Sequence, residues 1–378
     1  MPFSGNTYVP VTGATTAAAG QVLQSAVWNN INNDISTALT TLMTLVNTGL
    51  PGWQNVLVPN GGFNVWQRGT TISVGASTTA YTADRWYLTT GADQASVVSA
   101  TTDLETHAIP LAAAKITRTA GQTGTTAVVF GYPLDSDEVY RMRGSRISFT
   151  CLAMGGDDWS PASGTLTAVI AVGTGAAAKR GAGFTGETVV LTIATNLTAG
   201  AGSATTISGT SVSSVPTNAT QGEVQFTWTP VGTAGADDSV SIDDCSIILG
   251  TIPQGYEEIP SQVNLSLCRR HYQKSFPYDV APAQNAGARG CLAGITPSSN
   301  NLWIYTKFDP ELRATASVTF FNPLATASTW VSIYGSASVT ASRDSSSFGT
   351  NGMMVYTVAS MTTAMQTYGV HYAADASI

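Results

Sequence analysis

The stretch Pro59-Asn60-Gly61-Gly62-Phe63-Asn64-Val65-Trp66-Gln67-Arg68-Gly69-Thr70, continuing to Tyr81-Thr82-Ala83-Asp84-Arg85-Trp86-Tyr87-Leu88, packs large side chains more densely than any comparable window of the chain. It holds two of the eight tryptophans. Asn60-Gly61-Gly62 predicts a turn, because glycine takes positive φ at no steric cost. Phe63, Val65 and Trp66 then open a strand, and Tyr81, Trp86 and Leu88 form a second apolar run after a small polar loop. Neighbours along a strand face opposite ways, so a Trp86 pointing into a core sends Arg85 and Tyr87 outward.

Downstream of this opening, the sequence predicts further strands by alternation at 146–152, 164–172, 187–194, 223–229 and 240–249. Loops rich in Gly, Thr and Ser separate them, which is the pattern of a jelly-roll sandwich spanning 56–260. Ser241 to Cys245 is expected beside the opening strand, and Cys151 shares a strand face with Ile147 and Phe149 as a small core residue. Ile259-Pro260 marks a boundary, with a short helix across 261–272. Candidate strands at 302–308, 316–321, 336–342, 352–360 and 368–373 make 261–378 a second β-sandwich.

Upstream lies a different pattern. Residues 1–16 mix Gly, Pro, Thr and Val and predict an extended arm that docks elsewhere. Within 17–55, Trp28, Ile31, Ile35, Ala38, Leu42 and Leu45 recur at alternating steps of 3 and 4, a heptad seam. Val27, Leu39 and Val46 widen it beyond a two-stranded stripe, so a homotrimeric coiled coil is expected; one amphipathic helix packing on its own domain is the alternative. The fold class is therefore mainly β, with an arm and a short coiled-coil helix before two sandwich domains.

Composition limits the function. Charged residues make up 10% of the 378, against about 25% in ordinary soluble proteins. A net charge of -7, with only four lysines among the 16 basic residues, argues against nucleic acid as partner, since phosphate binding needs clustered cations. There is no run of about 18 apolar residues and no signal-peptide pattern, so membrane insertion is not expected. Four cysteines, at 151, 245, 268 and 291, show no metal spacing. His107, His271 and His371 stand apart from one another and suit structural roles, and no nucleophile elbow or phosphate loop occurs.

The opening stretch resembles the start of the jelly-roll domain of tailed-bacteriophage fibre and spike proteins, through Asn60, Gly61, Phe63, Trp66 to Thr70 and Tyr81 to Trp86. Gln21 to Leu39, Leu265 to Ser275 and Val370 to Ile378 are similar to other segments of that family, in the same order. The resemblance implies a virion location, other virion proteins as partners of the arm, host surface glycan as ligand, and host attachment as function. A head or collar decoration protein and a glycan depolymerase are the alternatives. Depolymerisation needs two carboxylates flanking a glycosidic bond. The acidic pairs here, such as Asp157-Asp158 and Asp237-Asp238, look like turn residues, so no enzyme is expected. The related carbohydrate-binding modules also imply a structural calcium near Asp243 and Asp244, with a hydrogen-bonded turn as the competing reading. Sugar binding calls for exposed rings beside planar polar groups. Trp66 and Trp86 suit the core better, whereas Asp158-Trp159 and Tyr278-Asp279 sit in turn-rich loops and are the candidate ligand residues.

Overall fold

The computed structural model describes residues 3–4, 7–8, 33–37, 57–105, 112–296, 302–333, 338–344, 348–357 and 366–378. The chain divides into two compact units, Met1–Asn55 and Val56–Ile378. In the first, β1 (Phe3–Ser4) pairs antiparallel with β2 (Thr7–Tyr8), so part of the expected arm is a small hairpin. Residues 33–37 are helical, and Thr37 Oγ1 donates to the Asn33 carbonyl at 2.8 Å. There Ile35, a residue of the expected seam, is exposed, while Asp34 is buried. Trp28, Ile31, Ala38, Leu42 and Leu45 lie outside the described residues.

The second unit begins with two six-stranded antiparallel sheets. One contains β3 (Thr71–Val74), β6 (Ser96–Thr102), β7 (Ala112–Arg118), β9 (Ile147–Gly155), β12 (Thr205–Thr210) and β14 (Ser239–Leu249), in the order β12-β9-β14-β7-β6-β3. The other contains β4 (Thr79–Tyr81), β5 (Tyr87–Thr89), β8 (Val128–Leu134), β10 (Thr165–Gly173), β11 (Thr188–Asn196) and β13 (Gln221–Trp228), in the order β11-β10-β13-β8-β5-β4. Alternation along β13 sends Val224, Phe226 and Trp228 between the sheets. There they meet Trp86, Phe130 and Phe149, with Trp86 and Phe130 stacked at 5.0 Å and Phe149 tilted against Phe226 at 6.1 Å. Cys151 is in this core, as its strand position predicts. Burying an aromatic ring of this kind contributes roughly 4–6 kcal/mol before ordering costs.

The opening stretch departs from the sequence reading. It is a folded turn rather than a strand, with Asn60 at φ 57° and Phe63 at φ 47°. The Asn60 side chain causes this: its Oδ1 accepts the Val65 amide at 2.8 Å, and its Nδ2 donates to the carbonyls of Val65 (3.0 Å) and Asp84 (2.9 Å). A side chain thus occupies the place of a neighbouring strand. The stretch still lies beside β14, through Leu57 N to Ile247 O and Cys245 N to Gly61 O. Arg85 also departs. It sits at φ 71° in a turn closed by Trp86 N on Ala83 O, so strand alternation does not apply to it, and it is buried. Its guanidinium pairs with Glu138 at the start of α1 (Ser136–Met142) and lies over the Tyr132 ring. Tyr87 does point away from the core, yet it is covered.

After the sandwich, α2 (Ser261–Arg269) leads into a network of eight strands: β15 (Tyr272–Lys274), β16 (Leu292–Ile295), β17 (Trp303–Lys307), β18 (Ser317–Phe321), β19 (Thr329–Ser332), β20 (Ser338–Asp344), β21 (Gly352–Thr357) and β22 (Thr367–Asp375). β22 is the hub, pairing with β15, β16, β18 and β19. This part has its own buried cluster around Phe308, Trp330, Met353, Tyr368 and Val370. The two cores are joined by polar contacts. Asn264 Oδ1 accepts the Asn60 amide at 2.8 Å, Gln67 Nε2 donates to Tyr272 O at 3.0 Å, and Asp135 meets both Arg313 (3.1 Å) and His271 (3.2 Å).

Candidate ligand cleft

The outward face of the β4-containing sheet carries residues that alternate with the core: Tyr87 on β5, Gly131 on β8, and Glu223 and Gln225 on β13. Gly131 is required there. A Cβ at this position would lie 2.6 Å from both Glu223 Oε1 and the Tyr87 ring. The absent side chain lets the Tyr87 hydroxyl donate to the Glu223 carboxylate, which also accepts from Gln225 Nε2 (2.7 Å) and the Arg180 amide (2.5 Å). Burial raises the Glu223 carboxyl above its ordinary range despite these donors.

Beside this floor opens a cleft of about 640 Å³, bounded by Arg68, Tyr81, Lys179, Tyr272 and Asp375, with Thr319 among its hydroxyls. The Arg68 guanidinium stacks 3.9 Å from the centre of the Tyr272 ring and 5.1 Å from that of Tyr81. Its Nη2 donates to Asp375 Oδ2 (2.9 Å) and Ser377 Oγ (3.0 Å), while Nη1 stands 3.8 Å from Asp84 Oδ1 and finds no hydrogen-bond acceptor among the described residues. Burial works against the Arg68 charge, but Asp375 and Asp84 outweigh it. Asp375 in turn is held below the usual carboxylate range, its burial overcome chiefly by Arg68. Lys179 Nζ lies 4.6 Å from the centre of the Tyr81 ring and 5.2 Å from that of Tyr87, and burial lowers its pKa. Rings beside planar polar groups and hydroxyls form a surface suited to a sugar, whose axial C–H faces stack on aromatics while its hydroxyls take hydrogen bonds.

The candidate residues from the sequence are not brought into one place. Tyr278 and Asp279 are exposed and line a second groove of about 330 Å³ with Phe63 and Trp66. The Tyr278 hydroxyl is anchored there, accepting the Trp66 amide at 3.1 Å and donating to Asn64 O at 3.0 Å. Trp159 is buried instead of displayed. Its ring packs 5.9 Å from Trp228, its Nε1 donates to Gly164 O at 3.0 Å, and it belongs to the sandwich core. Asp158 is exposed and caps a turn by accepting the Asp237 amide at 2.9 Å.

Asp243 and Asp244 are both buried where β14 bulges against β9. Asp243 accepts the amides of Leu104 (3.0 Å) and Asp244 (2.8 Å), and burial followed by the adjacent Asp244 pushes its carboxyl up to about 8. Among the described residues no three His, Cys, Asp or Glu side chains converge as a metal-binding group. No step is assigned to a calcium ion here.

The sequence reading did not single out Lys179, Glu223 or Asp375. The only local signal was the alternation Gln221, Glu223, Gln225 against Val224 and Phe226, which is common to any half-exposed strand.

No protein-family model matches the sequence, and no curated protein sequence matches it. Among solved structures, the enzymatically active domain of tailspike protein 4 from bacteriophage CBA120 aligns at 13% identity over 52% of this chain and 22% of its own, with a TM-score of 0.32. A CBM4 module aligns at 17% identity over 51% of this chain and 99% of its own (TM-score 0.30). The CBM22-1 xylan-binding domain of Paenibacillus barcinonensis Xyn10C aligns at 12% identity over 52% and 96% (TM-score 0.30).

Proposed function

We propose that this chain is a structural virion protein of the phage fibre or spike type, which binds cell-envelope glycan through the cleft at Arg68, Tyr81 and Tyr272. It acts as a homotrimer, and residues 1–16 dock it on other virion proteins. The observation that carries the glycan reading is the cleft itself, where two tyrosine rings flank a guanidinium with hydroxyl-bearing side chains opposite. Binding without cleavage is favoured because Glu223 and Asp84, the carboxyls beside the cleft whose pKa is raised by burial, are both buried and engaged by donors of their own. A general acid must reach the glycosidic oxygen. Three linked copies compensate for weak single sites, because linkage raises avidity by about 10² to 10⁴.

The test is retention of the full-length protein on intact bacteria and on a panel of immobilised envelope polysaccharides, with reducing ends assayed in parallel. Retention without new reducing ends is expected, weakened at least tenfold in Y81A/Y272A. Failure of the wild-type protein to bind any surface or polysaccharide would favour a head or collar decoration role, and release of reducing ends would make it a depolymerase.

A further inference from the structure

The charges around the cleft are unevenly satisfied. Asp375 is taken up by Arg68 Nη2 and by the Ser377 amide at 3.0 Å. Asp84 is taken up by the Gln67 amide (2.5 Å) and Gln67 Nε2 (2.8 Å), and Glu223 by its three donors. Every carboxylate near the cleft therefore has short partners of its own. Lys179 has none: no carboxylate lies within 4 Å of its ammonium among the described residues, and the ammonium stands over the faces of Tyr81 and Tyr87 with Glu223 and Asp375 acting on it from farther off. It is half-buried at the rim of the cleft and has lost water without gaining an ion pair. Partial desolvation of an ammonium costs free energy that an arriving anion recovers, and such charge-assisted contacts are about twice as strong as neutral ones.

Building on the glycan-binding reading above, we infer that the cleft selects an acidic sugar polymer, seating a carboxylate or phosphate group against Lys179 while the sugar ring lies along Tyr81 and Tyr272. Tyr81 stays available for stacking because its hydroxyl is tied to the Ile378 carbonyl at 2.5 Å, which fixes the ring. The overall charge of -7 means that an anionic polymer is not drawn to the protein as a whole.

The experiment measures binding of full-length protein to four immobilised polymers: polygalacturonate for carboxylate, poly(glycerol phosphate) for phosphate, and xylan and a β-glucan as neutral controls. Wild type should hold at least one anionic polymer about tenfold tighter than either neutral one, and the gap should close as NaCl rises from about 0.01 to about 1 M, where screening shortens to roughly 3 Å. K179Q should cut the acidic preference about tenfold, and K179R should keep most of it. Which anionic polymer is held separates a uronate from a phosphate ligand. Neutral polymers held as tightly as acidic ones, with no salt effect, would overturn this inference and leave glycan binding standing. No binding to any of the four would also overturn this inference, and the glycan reading would then be decided by retention on intact bacteria and envelope polysaccharides.

Discussion

The backbone carbonyl of Asn60 accepts the indole N–H of Trp86 at 3.0 Å, across 26 residues of sequence. The same asparagine spends its side-chain amide on Val65 and Asp84 and its own N–H on Asn264. One buried residue thereby fixes the entry turn, the largest core ring and the helix leading to the C-terminal part.

Replacing it should be costly. N60A strands several buried polar groups, each worth about 1–3 kcal/mol when left unpaired. We expect a loss of more than about 3 kcal/mol in chemical denaturation, and a change below 1 kcal/mol would show that water or a neighbour replaces it.

Gly131 offers a narrower test. G131A drives a methyl into the Glu223 carboxylate and the Tyr87 ring, and overpacking of this kind costs about 1–3 kcal/mol. The same variant should weaken polysaccharide retention, because the floor under Lys179 moves. Unchanged stability and binding would mean that the sheet yields more easily than its spacing implies.

The Asp243 carboxyl makes stability fall with pH. Its folded pKa, about 8, lies above the unfolded value of about 3.9, so its stabilising proton is fully in place below that lower value. The contribution declines from there up to about pH 8. D243N should flatten this decline in a Tm-against-pH series. A bound cation would reverse the trend, so a Tm that rises with added calcium above pH 8 would support a calcium at this site.

The joint between the two cores is polar, which makes their coupling separable from their packing. Wild type should unfold in one calorimetric transition. The pair D135N and D375N removes contacts to Arg313, His271 and Arg68 without touching either apolar cluster, and should split that transition in two. A split already present in wild type would show that each part is thermodynamically independent.

Oligomeric state is tested by the seam. I31D, I35D and L42D together should give monomer in sedimentation, and a persisting trimer would remove the heptad argument.

Much of the sandwich was legible. β9, β10, β11, β13 and β14 lie close to where alternation placed them, because large apolar residues on the core face alternate with polar or small ones opposite, even where, as in β13 and β14, both faces are buried. β6 and β7, SVVSATT and AAAKITR, escaped notice since their small residues carry little contrast. β8, VVFGYPL, is buried on both faces and so does not alternate. Arg85 was misplaced because a left-handed turn cannot be seen in the pattern of side chains. Trp159 was misplaced because acidic turn residues flank a ring that packs under them. The cleft was illegible for a different reason: Arg68, Lys179 and Asp375 come from three distant parts of the chain, and no spacing rule links them.

That distance also orders events during synthesis. Asp375 lies 307 residues beyond Arg68, and β22 supplies four strands with a partner. While the ribosome is still short of β22, β15, β16 and β18 have no strand to pair with, and the wall of the cleft is missing. A nascent chain therefore exposes these strand edges from the appearance of β15 until β22 follows, and binding competence arrives abruptly near the end rather than by degrees. Premature termination between β15 and β22 would yield an unsealed, sticky product and not a partly active one.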